Sequence, residues 1–292
     1  MKNSVHTWRK VITLICVGVI PFLICPHASA RTQGGSSSAS EWFDDYRKPV
    51  GFTYGLSANL QANYLWRGLY AGGLSFQPDA NVGYGGLYAD MWWSIGATDW
   101  TFKTFQPEVD LTIGFARWGL NVYVLYIHNF DCGFFDFRNY PSGGSCAGNR
   151  LELDFKYTLS SKIPLTVTWA TRVAASDGYV NTSGDTIRAY SSYAEISYTQ
   201  HLPFDLSVSA AVGITPWRSM YTHYQGGFAV CNVSLDLRKD WSLGKHCGMM
   251  IHGMVALHPS ALAADHSTAK WQPGNSGLQS VNANIGMGVY WR

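Results

Sequence analysis

The chain has 292 residues, of which 14% are charged and 15% aromatic, and it contains 30 glycines. Its formal net charge of +2 provides no strongly basic surface, so we expect no nucleic-acid partner. A composition rich in aromatic residues and glycine but poor in charge is typical of strands that expose aromatic bands.

Residues 1–30 have the features of a secretory signal peptide. Lys2, Arg9 and Lys10 precede the apolar run 11–25, and Ala28-Ser29-Ala30 forms a cleavage pattern. This run is shorter than the roughly 18 to 20 apolar residues that a membrane-spanning helix requires, and no later segment approaches that length. Removing residues 1–30 would leave 18 basic against 19 acidic residues, a formal charge of −1.

The rest of the chain divides into a short lead-in and one long domain. Segment 31–50 is polar and rich in serine and glycine, which predicts a flexible periplasmic lead-in. In residues 51–292, apolar and polar residues alternate repeatedly, as in 150–159, where every second residue is apolar. Strands with this pattern have one apolar and one polar face. The apolar face would meet a protein core in a soluble sandwich and lipid in an outer-membrane barrel.

The alternation predicts an even number of strands joined by connectors of alternating length. The short connectors include "YGG", "RWG" and "LPF", whereas "DCGFFDFRNYPSGGSCAG" is the longest of the others. Tight turns at one rim and long loops at the other are typical of an up-and-down transmembrane β-barrel with both termini in the periplasm. The predicted strands are 53–67, 73–84, 87–97, 105–116, 119–129, 149–159, 165–175, 187–200, 205–215, 227–238, 245–258 and 278–291.

Aromatic residues near the strand ends favour lipid over a soluble core. They would lie at the two membrane interfaces, where aromatic side chains of barrels form girdles. Barrel-assembly machinery reads an amphipathic final strand with a terminal aromatic residue. The last strand here has this pattern except that its aromatic residue is penultimate. An ordinary secreted sandwich is the alternative interpretation of these strands. The predicted girdle residues are Tyr64, Trp66, Trp93, Tyr157, Trp169, Tyr198 and Trp291.

The cysteines outside residues 1–30 suggest one disulfide bond and leave a second pairing open. An exported chain is expected to carry paired thiols. Cys132 and Cys146 bracket a glycine-rich loop, and we expect a disulfide bond that closes it. Cys231 and Cys247 lie on neighbouring predicted strands, where a bond would depend on the register.

Part of the sequence resembles a known family. The run "ANLQANYLWRGLYAGG" contains Tyr64, Arg67 and Gly68, and the next strands contain Trp92 and Asp110. With Gly86, Tyr88, Ser94, Glu108 and Gly114, these residues resemble the Gcw-chp group of exported proteins, also called TorF-type porins. The likeness covers about the first third of the exported chain. It implies an outer-membrane barrel of undefined substrate and supplies no catalytic residue.

The polar faces of the predicted strands would enclose a central lumen that contains both signs of charge. In one interpretation these charges pair across the lumen and hold the barrel in shape. In the other they line a hydrated passage and select solutes, and the excess of acidic residues would then favour cations. The predicted lumen-lining residues are Arg67, Asp79, Asp90, Glu108, Asp110, Arg150, Glu152, Asp154, Lys156, Arg172, Glu195, Asp236 and Arg238.

These patterns predict an integral outer-membrane protein that passes small hydrophilic solutes, with outer-membrane lipid and the barrel-assembly machinery as its other partners. We expect no cofactor, no metal and no catalytic residue. His252 and His258 lie too far apart along one strand to share an ion. Two alternatives remain open, which are a lipid-modifying enzyme embedded in the barrel and a surface-interaction barrel that acts through its extracellular loops, chiefly the loop bracketed by Cys132 and Cys146.

Overall fold

The computed structural model describes residues 51–97, 105–142, 148–160, 162–259 and 281–291. The predicted signal peptide 1–30, the lead-in 31–50 and Cys146 lie outside these ranges. Within them, no helix is long and apolar enough to cross a membrane.

The described chain forms a closed antiparallel barrel of twelve strands, which confirms the predicted fold class. Each barrel strand pairs with the next barrel strand along the chain, and pairing of the first strand with the last closes the barrel. Two further pairs of short strands lie outside the barrel sheet. The strands are β1 Phe52–Gln61, β2 Tyr64–Trp66, β3 Leu69–Gly72, β4 Ser75–Tyr84, β5 Leu87–Ala97, β6 Phe105–Arg117, β7 Leu120–His128, β8 Arg150–Thr158, β9 Leu165–Ala175, β10 Gly178–Val180, β11 Thr186–Arg188, β12 Ser192–Leu202, β13 Leu206–Thr215, β14 Ala229–Ser242, β15 Cys247–Leu257 and β16 Val281–Trp291.

The two rims of the barrel differ, as the connector lengths predict. Two residues join β4 to β5 and another two join β6 to β7, at the rim where β1 begins and β16 ends. At the opposite rim, β7 and β8 are separated by residues 129–149, and β9 and β12 by residues 176–191. We call these the short-turn rim and the long-loop rim.

The alternation in the sequence separates the two sides of the barrel wall. On β1, Ser57 and Asn59 point inward and are 3% and 5% exposed, whereas Leu60 points outward and is 45% exposed. Ile113 on β6 is 72% exposed on the outside. The wall is therefore apolar outside and polar inside, the inverse of a soluble sandwich, and an apolar outer band of this kind fits a hydrocarbon environment.

The first predicted strand, 53–67, is wrong at its C-terminal end. The barrel strand stops at Gln61, and residues 64–72 turn back into the lumen as a separate hairpin of β2 and β3. Alternation continues through Tyr64–Trp66 because a hairpin strand has the same two-residue period as a barrel strand. We call residues 64–72 the lumen hairpin.

The lumen hairpin also corrects the predicted girdles. Tyr64 and Trp66 lie inside the barrel, so they cannot face lipid. Tyr157, Trp169 and Tyr198 lie on barrel strands and are 41%, 39% and 40% exposed. Some aromatic residues near strand ends therefore lie on the outer face of the barrel, and others lie inside the lumen. The sequence pattern alone does not distinguish these two positions.

Cys231 and Cys247 are free thiols, so the bond between them that the sequence left open does not form. The antiparallel register of β14 and β15 is the reason, because it pairs Val233 with Leu257 at one end and Ser242 with Gly248 at the other. Cys231 therefore lies near the long-loop rim and Cys247 near the short-turn rim. The predicted bond between Cys132 and Cys146 stays a prediction because Cys146 lies outside the described residues.

The burial of the two free thiols predicts different reactivity towards a maleimide. Cys231 is 0% exposed against the lumen hairpin, and Cys247 is partly exposed. In the folded barrel in detergent, Cys247 should be labelled within minutes and Cys231 only after denaturation. Mass spectrometry of the labelled peptides measures this, and rapid labelling of Cys231 in the folded state would contradict the packed hairpin.

The start of the loop between β7 and β8 folds over the outer wall. Tyr126 and His128 occupy outward positions of β7, yet they are only 5% and 2% exposed. Phe134 contacts both rings, at 5.6 and 4.6 Å between centroids, and is itself 44% exposed. This part of the loop lies outside the lumen, whereas the hairpin after β1 lies inside it.

Candidate functional site: a polar lumen crossed by a hairpin

A two-residue turn at Arg67 and Gly68 forms the tip of the lumen hairpin. Both residues have positive φ, 50° and 80°, as the central positions of a type I′ hairpin turn require. A Cβ atom at Gly68 would lie 2.8 Å from the carbonyl oxygen of Cys231 and 2.9 Å from Asn232 Oδ1. Glycine therefore permits both the turn and the close approach of the tip to β14.

Arg67 anchors the tip to β8 by two ion pairs. Its guanidinium donates to Glu152 Oε2 and to Asp154 Oδ2, each at 2.8 Å, and also to the hydroxyl of Tyr221 at 2.8 Å. The carboxylate side chains are 1% and 0% exposed, and the Arg67 side chain is 12% exposed. The guanidinium carbon also lies 4.4 Å from the Trp66 ring centroid. Charge and π contacts both fix this side chain.

Apolar contacts hold the second strand of the hairpin against the opposite wall. Leu69 is 2% exposed and packs in a cluster with Ala170, Tyr193, Tyr221 and Cys231. The cluster joins residues from β9, β12 and β14, which closes this side of the lumen around the hairpin. Burying one leucine side chain of this kind contributes about 2 kcal/mol.

A loop from the long-loop rim covers the hairpin. Residues Met220–Thr222 form one turn of 3-10 helix, capped by the side chain of Ser219, between β13 and β14. The Tyr221 ring stacks on Trp66 at 6.0 Å. Burial raises the pKa of Tyr221, so its hydroxyl stays protonated and accepts the Arg67 hydrogen bond as a neutral group.

The first strand of the hairpin contacts a different part of the wall. The Tyr64 hydroxyl donates to Glu108 Oε1 at 2.8 Å, and its ring lies 5.3 Å from Trp92. The backbone nitrogen of Asn63 donates to Asn284 Oδ1 at 3.0 Å on β16. The hairpin is thus tied to β5, β6, β8, β14 and β16, and it crosses the lumen.

Between the hairpin and the short-turn rim lies a polar cavity of about 560 Å³. Threonine, serine, asparagine and charged side chains from the barrel wall line much of it, and Tyr64, Leu65 and Trp66 form its boundary towards the long-loop rim. The predicted residues that line this cavity are Arg67, Asp79, Asp90, Asp110, Lys156, Glu195, Asp236 and Arg238.

The remaining predicted residues lie inside the barrel, close to the hairpin. Glu108 receives the Tyr64 hydrogen bond, and Glu152 and Asp154 bind Arg67. Arg172 donates to Glu152 Oε1 at 3.2 Å and is 3% exposed. Arg150 of β8 is near enough to Glu108, Arg172 and Asp110 to act electrostatically on all three.

The charges of the lumen are segregated. Around the hairpin tip, Arg67 and Arg172 neutralise Glu152 and Asp154. On the other side, Asp79 of β4, Asp90 of β5 and Asp110 of β6 form a group that we call the acidic wall. Within the part of the chain that the structure describes, no Lys, Arg or His forms an ion pair with these three residues. The charges around the hairpin tip therefore fit the interpretation in which paired charges hold the barrel in shape. The acidic wall fits the interpretation in which charges line a passage and select solutes.

His252 joins three strands near the barrel closure. Its Nδ1 lies 2.8 Å from Asp236 Oδ2, and its Nε2 lies 2.9 Å from Gln61 Oε1. Asn284 also donates to Gln61 Oε1, at 2.7 Å. An amide oxygen, and no hydroxyl, therefore faces the imidazole. Among the described residues, no group of three or more His, Cys, Asp or Glu side chains is arranged to hold a metal ion.

Sequence reasoning missed the lumen hairpin and the role of Tyr221. Arg67-Gly68 between "YLW" and "LYAGG" was the available signal, because a glycine at the second turn position between two alternating runs indicates a hairpin. No comparable signal marks Tyr221, since the loop that carries it has no repeating pattern.

No family model matches the chain, and no curated protein matches it. Solved structures that are similar include the NanC porin, at 11% identity with a TM-score of 0.44, covering 81% of this chain and 99% of that one. The TodX ΔS2S3 mutant monoaromatic hydrocarbon channel has 11% identity and a TM-score of 0.38, covering 91% and 95%. Salmonella typhi OmpF in complex with daunomycin has 10% identity and a TM-score of 0.34, covering 83% and 97%.

Proposed function

We propose that the protein is an outer-membrane channel for small hydrophilic solutes and that the lumen hairpin forms its constriction. The observation that carries this proposal is a closed barrel with an apolar outside and a polar cavity of about 560 Å³ inside, bounded by a hairpin. A barrel of twelve strands is wider than the small barrels that side chains alone fill. An inserted segment then sets the size of the solutes that pass.

The apolar outer surface of the barrel supports a location in the outer membrane. An apolar band around a closed barrel is stable in lipid, and barrels of this architecture are found in outer membranes. In that setting the short-turn rim and both termini face the periplasm, and the predicted signal peptide delivers the chain to the assembly machinery. The resemblance to the Gcw-chp group agrees with this location and leaves the solute open.

The charges around the cavity predict its ion preference. Among the cavity-lining residues, Asp79, Asp90, Asp110, Glu195 and Asp236 outnumber Arg67, Lys156 and Arg238. An excess of carboxylates in a narrow passage raises the local concentration of cations and lowers that of anions.

The test is recording from the purified protein in planar bilayers, with KCl at different concentrations on the two sides. We expect discrete conductance steps and a reversal potential on the cation-selective side of zero. Heating the sample so that the barrel unfolds before reconstitution gives the matched control. A current no larger than that of protein-free lipid would overturn the channel, and an anion-selective reversal potential would overturn the role of the acidic wall.

An enzymatic function would require different chemistry in this lumen. Asp236 and His252 form a carboxylate–imidazole pair of the kind that a catalytic base needs, but Gln61 occupies the position that a nucleophile would need. We therefore favour the channel.

A further inference from the structure

We infer that the acidic wall is a binding site for organic cations, specifically for solutes that carry a primary ammonium group. This inference rests on the proposed function in that it names the class of solute for the same lumen. None of the three carboxylates of the acidic wall forms an ion pair with a basic residue of the described chain.

The strand register places the carboxylates around one indole. Asp79 of β4 is paired directly with Trp92 of β5, and Trp92 is paired directly with Asp110 of β6. Asp90 lies on the same inward face, two residues from Trp92 along β5. All four side chains line the cavity below the lumen hairpin.

The burial of these groups calls for a positive partner. Asp79 and Asp90 are 3% and 8% exposed, and their carboxyl groups lie close enough together to interact. Two carboxyl groups in such contact are held together by a shared proton or a cation, since like charges repel. Asp90 Oδ2 and Asp110 Oδ1 are buried and have no hydrogen-bond partner in the described structure. A ligand that donates several hydrogen bonds and carries a positive charge would satisfy these atoms.

The spacing favours an organic cation over a metal ion. Direct neighbours in a sheet are about 5 Å apart, so the backbones of Asp79 and Asp110 are separated by about 10 Å with Trp92 between them. Among the described residues, no three of these carboxylates are arranged to hold one metal ion. A primary ammonium group has three hydrogen-bond donors, and its positive charge is attracted to the face of the indole ring. The alkyl part of the ligand can make apolar contact with the same ring.

The aromatic residue of the site contacts the lumen hairpin, which forms the proposed constriction. Trp92 lies 5.3 Å from the Tyr64 ring, between ring centroids, and Tyr64 is the first residue of the lumen hairpin. A cation bound on the acidic wall would therefore lie directly beside the segment that narrows the lumen.

Isothermal titration of the intact barrel in a nonionic detergent with n-propylammonium chloride tests the site. Neutral n-propanol and KCl are the matched ligands, and empty micelles give the baseline. We expect saturable binding of n-propylammonium and much weaker binding of the other two. Asp90→Asn should weaken the binding about tenfold, because it removes the buried charge that the ammonium compensates, and Trp92→Leu about threefold.

Asp236→Asn is the control variant, since it removes one carboxylate from the same cavity at a residue that already has His252 as its partner. Equal weakening by Asp90→Asn and Asp236→Asn would overturn the site and leave only a general negative potential. Binding of n-propanol as strong as that of n-propylammonium would also overturn it. If Asp90→Asn does not yield a folded barrel, Asp110→Asn provides the same comparison.

Titration in detergent separates this inference from the channel itself. Saturable binding by a protein that conducts no current would overturn the proposed channel and retain the site. Conductance without saturable binding in wild type would overturn the site and retain the channel.

Discussion

Removing the lumen hairpin should raise the single-channel conductance at least about threefold, because the hairpin occupies the cross-section of the lumen and the wall alone encloses a wider passage. The strand register shows where the chain can be rejoined after the hairpin is deleted. Gln61 of β1 pairs with Ser75 of β4, so Ala62 and Leu74 face each other next. Replacing residues 63–73 by Asn-Gly would join them through a type I′ turn without changing the register of the barrel.

The matched control shortens a hairpin outside the lumen. Tyr179 pairs with Ile187 in the hairpin of β10 and β11, so replacing residues 180–186 by Asn-Gly removes an exposed tip. This variant should conduct like wild type. Heat-dependent migration in gels checks that each variant forms a closed barrel. A closed barrel with the 63–73 replacement and unchanged conductance would show that the hairpin is not the constriction.

The barrel was predictable because its signal is local and repeated. Alternation along each strand follows directly from the pleat, and strands such as 150–159 show it without interruption. The alternation of short and long connectors then fixed which ends share a rim. Strand ends were less well predicted where a loop continues the alternation, as at the start of the predicted strand 187–200. Thr186–Arg188 forms the separate short strand β11, and the barrel strand begins only at Ser192.

The site was predictable only as a collection of inward-facing charges. Register decides which of them meet, and no local pattern in one strand encodes its register with another. Arg67 shows the difficulty, since it was assigned to the lumen as part of a barrel strand and instead reaches Glu152 and Asp154 from a hairpin. The family resemblance rests on Tyr64, Arg67 and Trp92 among others, but nothing in the sequence indicates that the Tyr64 ring contacts Trp92.

Arg67→Met should release the hairpin while preserving its apolar volume. Breaking a buried ion pair from one side costs about 3 to 5 kcal/mol, because the remaining carboxylate stays buried without its partner. Glu152 keeps Arg172, but Asp154 loses its 2.8 Å guanidinium contact. We expect a lower midpoint of thermal unfolding by circular dichroism, and single-channel records that switch between wild-type conductance and the level of the 63–73 replacement.

Two companion variants separate charge from geometry. Arg67→Lys retains the positive charge but not the planar fork that binds two carboxylates at once, so it should fall between wild type and Arg67→Met. Adding Asp154→Asn to Arg67→Met removes the unpaired charge and should recover part of the thermal stability, while the hairpin still switches because its anchor is absent. If Arg67→Met has the conductance and the thermal stability of wild type, Arg67 does not anchor the hairpin. Full recovery of steady wild-type current in the double variant would show instead that repulsion by Asp154, and not loss of the Arg67 bridge, displaces the hairpin.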